Sequence, residues 1–141
     1  KYGKFDIIIA NNVLNHANDP FDFVDGVNTI LSKKGKFIFE LPYWYNLISM
    51  KKFDQIYHEH VSYMTVKSSF NLLKKNKLEI FKIKQTSYHG GSIRVFSNPS
   101  KNVNLNNHVK KLIDKEEKLK LFETDTYLNF MKDLKKKNLF F

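Results

Sequence analysis

The sequence predicts an α/β fold: parallel strands joined through a helix, then an antiparallel terminal hairpin, then a helical tail. Three observations carry this. Phe5-Asp6-Ile7-Ile8-Ile9-Ala10 and Lys36–Leu41 are apolar runs of strand length separated by one stretch of helical spacing. Two further strand-like runs, Leu78–Gln85 and Ser92–Ser97, flank the turn signal His89-Gly90-Gly91. From Asn106 onward only helical spacing remains.

Taken in order, Phe5–Ala10 follows a turn-like Tyr2-Gly3-Lys4 and reads as a strand buried on both faces, as in a parallel sheet. Asn11-Asn12-Val13-Leu14-Asn15-His16 lies at its carboxyl end, where His16 is expected to cap or pack. Asp19-Pro20 offers an N-cap and a first-turn proline. Phe21, Val24, Val27, Ile30 and Leu31 recur at helical spacing, which predicts a helix over Pro20–Leu31. Ser32-Lys33-Lys34-Gly35 is expected to close it with a basic pair and a glycine. Lys36–Leu41 is the second strand, and Pro42 ends it. Open sheets of this kind bind ligands beyond the carboxyl ends of their strands, here Asn11–His16 and Glu40–Tyr45.

Thr65 is placed to cap a helix Val66–Asn76 that buries Phe70, Leu72 and Leu73. Leu78, Ile80 and Ile83 alternate with Glu79, Lys82 and Lys84, so this run is a strand that pairs with Ser92–Ser97. Asn98-Pro99-Ser100-Lys101-Asn102 breaks the pattern. Val109, Leu112, Ile113, Leu119, Phe122, Leu128, Met131 and Leu134 then form an apolar seam, on one long helix or on two interrupted near Thr124-Asp125. The closing Leu139-Phe140-Phe141 looks exposed and apolar, more natural in mid-protein than at a terminus.

Composition narrows the function classes. At 141 residues and 42 % apolar, the chain can pack one modest core. It has no cysteine, which excludes a disulfide framework and a thiolate zinc site and fits a cytoplasmic location. No apolar run approaches the ~20 residues that span a bilayer, so no membrane partner is expected. The formal charge is +10, yet of 24 basic residues only Arg94 is arginine. Readers of nucleic acid rely on arginine forks. The scattered lysines therefore read as a solvated surface, with no specific nucleic-acid partner.

The chemistry concentrates in Phe53–Tyr63, which reads Phe-Asp-Gln-Ile-Tyr-His-Glu-His-Val-Ser-Tyr. Tyr57, His58, Glu59 and His60 are consecutive. On a strand, Tyr57 and Glu59 would share one face and the two histidines the other; on a helix the four would spread around the circumference. Either way several proton-handling groups lie close together. A lone histidine is more often a packed or surface residue, but four such residues beside a strand end favour function for His60 and Glu59, with His58 even. A metal site built from His58, His60 and Glu59 or His89 lacks a second firm ligand pair, so no metal is expected. Arg94 reads as a structural partner of a carboxylate rather than a phosphate ligand.

Two motifs add a resemblance. Phe5–His16 resembles the strand-four motif of the class I S-adenosylmethionine-dependent methyltransferases. Asp-Gln-Ile-Tyr-His-Glu-His-Val-Ser-Tyr at 54–63 and His-Gly-Gly-Ser-Ile-Arg at 89–94 look like signatures of its sugar C-methyltransferase branch, which acts on nucleotide-linked keto-deoxysugars. The resemblance covers roughly Phe5–Asn98. It implies the C-terminal half of a Rossmann-like methyltransferase sheet over residues 1–100 and a helical connector over 101–141 toward a further C-terminal domain. None of the five glycines makes the Gly-x-Gly turn of the family's cofactor site. The expectation is therefore an internal slice of a longer enzyme, with the family's zinc-binding segment also lying outside it.

Residue by residue, the resemblance implies His60 as the base that removes a proton next to a ketone, assisted by Tyr57 and Glu59. Asn11 and Asn12 would lie along S-adenosylmethionine, and His58, His89 and Tyr43 would face the nucleotide-linked sugar. The competing expectation is a non-catalytic interaction module, in which the seam at 109–134 and the basic surface dock to a partner chain or an anionic polymer.

Overall fold

The computed structural model describes residues 3–136, so Leu139-Phe140-Phe141 lies outside the described residues. The elements run β1 (Phe5–Asn11), a 3-10 turn (Leu14–His16), α1 (Pro20–Ile30), β2 (Leu31–Pro42), α2 (Trp44–Ser49) and α3 (Val66–Lys75). They continue with β3 (Leu78–Thr86), a second 3-10 turn (Tyr88–Gly90), β4 (Ser92–Pro99), α4 (Asn107–Lys118) and α5 (Thr124–Lys136). The four strands form one sheet in the order β1-β2-β4-β3. β1 and β2 are parallel, whereas β4 runs antiparallel to both β2 and β3. The predicted hairpin thus inserts its second strand beside β2 and leaves β3 outermost.

Register sets the two faces. Ala10, Phe39 and Val95 lie abreast, as do Asn11, Glu40 and Arg94 one residue on. The first set, with Phe37, Leu41, Ile80 and Ile93, faces a core closed by Val24, Val27, Leu72, Leu73, Val109 and Leu112 from α1, α3 and α4. The second face is open among the described residues. β1 shows the consequence: Ile7 and Ile9 are 59 % and 61 % exposed, and only Ala10 is buried. The expectation of a strand buried on both faces fails because β1 is an edge strand with β2 on one side and helices on one face only.

The joint between α1 and β2 also differs from expectation. Asp19 caps α1 through its Oδ1, which accepts from the amides of Phe21 (2.8 Å) and Asp22 (3.1 Å), with Pro20 in the first turn. The helix stops at Ile30, and Ser32–Gly35 belongs to β2, where the β1–β2 register shifts between Phe5 and Ile7. Gly35 is therefore not a helix cap. A Cβ there would sit 2.7 Å from the Leu31 side chain and 3.0 Å from the Phe5 carbonyl, so close packing demands glycine.

α3 has an unusually complete N-terminus. Thr65 and Ser68 form a reciprocal capping box: the Ser68 amide donates to Thr65 Oγ1 (3.0 Å) and the Thr65 amide to Ser68 Oγ (2.9 Å). The next two amides, Val66 and Lys67, donate to the Glu116 carboxylate at 2.5 and 3.0 Å. Glu116 comes from α4, is fully buried, and also accepts from the Tyr43 hydroxyl at 2.8 Å. Tyr43 stands at the end of β2 and forms a parallel bridge with Met64. One carboxylate thus ties together the end of β2, the start of α3 and α4.

The seam at 109–134 is buried only in part, since Phe122, Leu128 and Met131 are exposed. Val109, Leu112 and Ile113 join the sheet's core, each such burial contributing roughly 1.5–3 kcal/mol. Leu121, Phe130 and Leu134 form a second cluster with Leu47 and Ile48 of α2, flanked by Trp44, Phe53 and Tyr127. α4 and α5 are separate helices joined through a turn in which Lys120 has φ of 57°. α2 falls outside the sequence reading: six residues without a side-chain cap give no periodicity to detect. No helix among the described residues is long and apolar enough to cross a membrane.

Candidate active site

Residues 53–63 form neither strand nor helix but a succession of turns across the carboxyl edge of the sheet. Ile56 N donates to Phe53 O (2.9 Å) and His60 N to Tyr57 O (3.0 Å). The segment is pinned at both ends. Ser62 N donates to Asn15 O (3.0 Å), and Lys52 Nζ, just before it, donates to Gly90 O (2.8 Å). The strand-end residues, the turn stretch and the hairpin loop therefore meet at one edge, as the topology of an open sheet dictates.

His60 is the centre of this edge and is 7 % exposed. Its Nδ1 lies 2.9 Å from the Gln55 carbonyl and its Nε2 lies 2.7 Å from the Tyr57 hydroxyl. A carbonyl only accepts, so Nδ1 carries the proton and Nε2 of the neutral ring accepts from Tyr57. Burial pushes the imidazole below its ordinary 6.5, and the nearby His16 and His89 push the same way. The hydrogen bond to Gln55 O and the Glu59 charge oppose that shift without reversing it. The ring is held neutral, with its one lone pair in contact with a phenol.

Three rings surround it. Tyr57 lies with its centroid 4.1 Å away, and Tyr63 stands edge-on at 5.9 Å with its hydroxyl donating to the same Gln55 carbonyl (3.3 Å). His16 meets His60 edge-on at 5.1 Å. Its Nδ1 donates to Glu59 O at 2.7 Å, which fixes the same tautomer in His16. Sequence reasoning left His16 as a residue that caps or packs. Its place in the cluster depends on a contact across 43 positions, which no local pattern announces.

The other candidate residues are distributed unevenly. Tyr57 is 39 % exposed, so its hydroxyl is reachable while it touches His60. The Glu59 side chain is exposed and acts on His60 through its charge, while its carbonyl holds His16. His58 is exposed and makes no hydrogen bond among the described residues. His89 is exposed, sits at φ of 48° with its ring edge-on to Tyr88 at 4.2 Å, and precedes Gly90 and Gly91 at φ of 74° and 121°. A Cβ on Gly91 would fall 2.4 Å from Asn46 Nδ2, so this turn requires glycine twice over. Asn11 and Asn12 lie at the end of β1. Asn12 is at φ of 52°, donates its amide to Glu40 O (2.7 Å) and keeps its side-chain oxygen buried without a partner among the described residues.

Tyr43 does not join them. It is 1 % exposed, its hydroxyl is committed to Glu116, and burial with that carboxylate pushes its ionisation far up. The expected sugar-facing role gives way to a structural one because the side chain turns into the core. Arg94 pairs through Nε with the buried Glu40 at 2.6 Å. Among the described residues no three His, Asp or Glu side chains gather as a metal site.

Two family models match the chain. One, described as a methyltransferase domain, matches residues 1–83. A second, described as a C-methyltransferase C-terminal domain, matches residues 87–139, so the first match ends within β3 and the second begins just after it. The C-methyltransferase NovU of Streptomyces niveus is 31 % identical over 100 residues, which cover 71 % of this chain and 24 % of that protein. The chain thus spans about a quarter of the length of this curated relative.

Solved structures share the fold. The magnesium protoporphyrin IX methyltransferase ChlM of Synechocystis PCC 6803, with bound SAH, has a TM-score of 0.55 at 17 % identity over 71 % of this chain and 47 % of its own. CalO1, a methyltransferase in calicheamicin biosynthesis, has a TM-score of 0.56 at 12 % identity over 71 % and 32 %. An S-adenosylmethionine-dependent methyltransferase from Clostridium acetobutylicum ATCC 824 has a TM-score of 0.53 at 15 % identity over 70 % and 59 %. The sheet described above is the Rossmann-like sheet of these proteins.

Proposed function

The chain belongs to the methyltransferase-domain family, and from that premise we propose that it is part of an S-adenosylmethionine-dependent C-methyltransferase acting on a nucleotide-linked keto-deoxysugar. The observation that carries the proposal is the neutral His60, fixed by Gln55 O and hydrogen-bonded through Nε2 to a reachable phenol. The C-methyltransferase description of residues 87–139 and the similarity to NovU support carbon as the acceptor atom. A proton-abstracting cluster fits carbon better than oxygen or nitrogen, because carbon must first lose a proton to become nucleophilic. Of the seam that an interaction module would offer a partner, Val109, Leu112, Ile113 and Leu134 are committed to this chain's own core, while Phe122, Leu128 and Met131 stay exposed.

The strand end fits a cofactor that passes it. Asn11 and Asn12 would hold S-adenosylmethionine there, Asn12 with an acceptor oxygen that no described residue uses. When bound, that group supplies an electrophilic methyl. The chain's own residues supply the rest. The proton of the carbon beside the ketone passes to the Tyr57 oxygen as the Tyr57 proton passes to His60 Nε2. The electron pair left on the acceptor carbon spreads onto the ketone oxygen, which activates that carbon toward the methyl. A depressed His60 keeps Nε2 free to accept at neutral pH. The Glu59 charge favours the imidazolium that results.

The test is His60→Gln in the full-length protein. Turnover falls by about 10²–10⁴-fold, the usual worth of a positioned base, while affinity for S-adenosylhomocysteine is unchanged. Near-unaltered turnover removes His60 from the chemistry.

A further inference from the structure

A cavity of about 740 Å³ lies between the first turn of α1, residues 62–64 and α3, next to the end of the turn stretch at 53–63. That size lies within the range of small-molecule sites, roughly 300–1,000 Å³. Its walls are mostly apolar: Phe21 from α1, Tyr63 and Met64 beyond the turns, and Leu72 from α3. None of Asn11, Asn12, Tyr57 and His60 lines it, so it is distinct from the candidate active site and from the strand end that a cofactor would pass.

Two features of this cavity point to an occupant. Phe21 is 46 % exposed on a helix whose Val24 and Val27 are buried. An aromatic ring left bare on the wall of an apolar hollow is a contact surface without a partner. The second feature is charge. Lys74 and Lys75, adjacent in the last turn of α3, line the same cavity, and no Asp or Glu does. Lys75 Nζ lies 4.6 Å from the centre of the Phe21 ring, and Lys74 Nζ 5.8 Å from that of Phe70. Neither lysine forms an ion pair among the described residues. The helix dipole accounts for lysines in a last turn. It does not account for the apolar hollow that they line.

Apolar walls with a cationic end select an amphipathic anion. The aromatic walls narrow the class further: a flat ring packs against Phe21 and Tyr63, while its carboxylate or sulfonate meets the ammonium groups. A bare phosphate lacks the apolar body, and a neutral aromatic leaves the lysines unanswered. The cavity also bears on the candidate active site. Tyr63 lines it, and the Tyr63 hydroxyl donates at 3.3 Å to the Gln55 carbonyl that holds His60 Nδ1 at 2.9 Å. The Tyr63 ring stands 5.9 Å from that of His60. An occupant that displaces Tyr63 therefore reaches His60 through one shared carbonyl.

We propose that this cavity is an effector site for a small aromatic anion, coupled to His60 through Tyr63. The site goes beyond the methyl-transfer reading, and its test needs no turnover, so its failure leaves that reading in place. The probes are naphthalene-2-sulfonate and its neutral counterpart naphthalene-2-sulfonamide, followed by calorimetry on the full-length protein. The sulfonate is expected to bind the unmodified protein about tenfold or more tighter than the sulfonamide, the usual worth of a hydrogen bond to a charged group. Lys74→Gln combined with Lys75→Gln should bring the sulfonate down to the level of the sulfonamide, and Phe21→Ala should weaken both probes. An unchanged unfolding midpoint shows that the variants are folded; the lysine pair decides the matter if Phe21→Ala disturbs the fold. In NMR spectra the His60 ring resonance, assigned by its absence from His60→Gln, should move along the sulfonate binding curve. No binding of the sulfonate at millimolar concentration overturns the site, as does an affinity that the substitutions leave unchanged. Equal binding of the two probes overturns the anion class. Displacement of the sulfonate by S-adenosylhomocysteine places it in the cofactor site and overturns the proposal as well. A His60 resonance that stays fixed as the sulfonate binds overturns the coupling.

Discussion

Two buried polar groups in this chain, Glu116 and His60, sit in opposite kinds of network. Glu116 accepts from two helix amides and one phenol, all within 3.0 Å; Tyr43 and Val66 are buried and Lys67 is half-buried. His60 has two partners, one a backbone carbonyl and the other a phenol that is itself 39 % exposed. Burial pushes Glu116 up, toward its neutral form, despite the hydrogen bonds to it, which pull the other way. Burial pushes His60 down, again toward its neutral form. The same physical cause acts on both. The first network is closed, so it can only hold elements together. The second is open on one side, so its neutral base can meet something from outside.

Breaking the closed network should produce the largest change in stability. Glu116→Ala strands the Val66 and Lys67 amides and the Tyr43 hydroxyl, and should destabilise the fold by about 3 kcal/mol or more. Urea unfolding measures it; a loss below about 1 kcal/mol would show that water or a rearranged side chain replaces the carboxylate. Tyr57→Phe sharpens the contrast from the other side. It should lower turnover by about 10²-fold yet leave the unfolding midpoint nearly unmoved, since the ring stays and only a half-exposed hydroxyl is lost. A midpoint shift as large as that of Glu116→Ala would erase the distinction.

A smaller effect is expected from Tyr43→Phe, which leaves the carboxylate both helix amides and should cost about 1–2 kcal/mol, read from the same urea curves. The smallest is a pH effect. His60 has a folded value below its ordinary 6.5, so its contribution is present above 6.5 and is lost as pH falls through the folded value. Glu116 has the opposite sign: its folded value is raised, so its contribution is greatest at low pH and declines as pH rises through that value. Stability measured between pH 5 and 7 should therefore lose part of its acid-side slope in His60→Gln. An unaltered slope would mean that His60 is not the buried neutral base described here.

Local chemistry was legible in the sequence wherever it acted locally. Asp19-Pro20 announced α1, Thr65 announced α3, and the paired apolar runs announced the strands and their hairpin. The cluster at 57–60 was legible as a concentration of proton-handling groups, and the family motifs assigned it a role. What was not legible depended on partners far away in sequence. Tyr43 looked like a ligand-facing aromatic at a strand end, and it became a buried donor only because Glu116, 73 positions later, lies against it. His16 looked like a residue that caps or packs, and its place beside His60 came only with residues 55–60 folded against it. β1 read as doubly buried because apolar content reports what a strand prefers, not what lies next to it. α2 was too short to generate a period.

The placement of Trp44 has a practical consequence. It is the chain's one tryptophan, its indole N–H donates to Tyr127 Oη of α5 at 3.1 Å, and its ring lies 4.6 Å from that of Tyr63, the neighbour of His60. An indole so placed is an optical probe already wired into the protein: its emission should respond when a ligand rearranges the turns at 53–63 and when α5 shifts. Binding could then be followed in real time without a label, and Tyr127→Phe, which removes the indole's partner, would separate the two sources of signal.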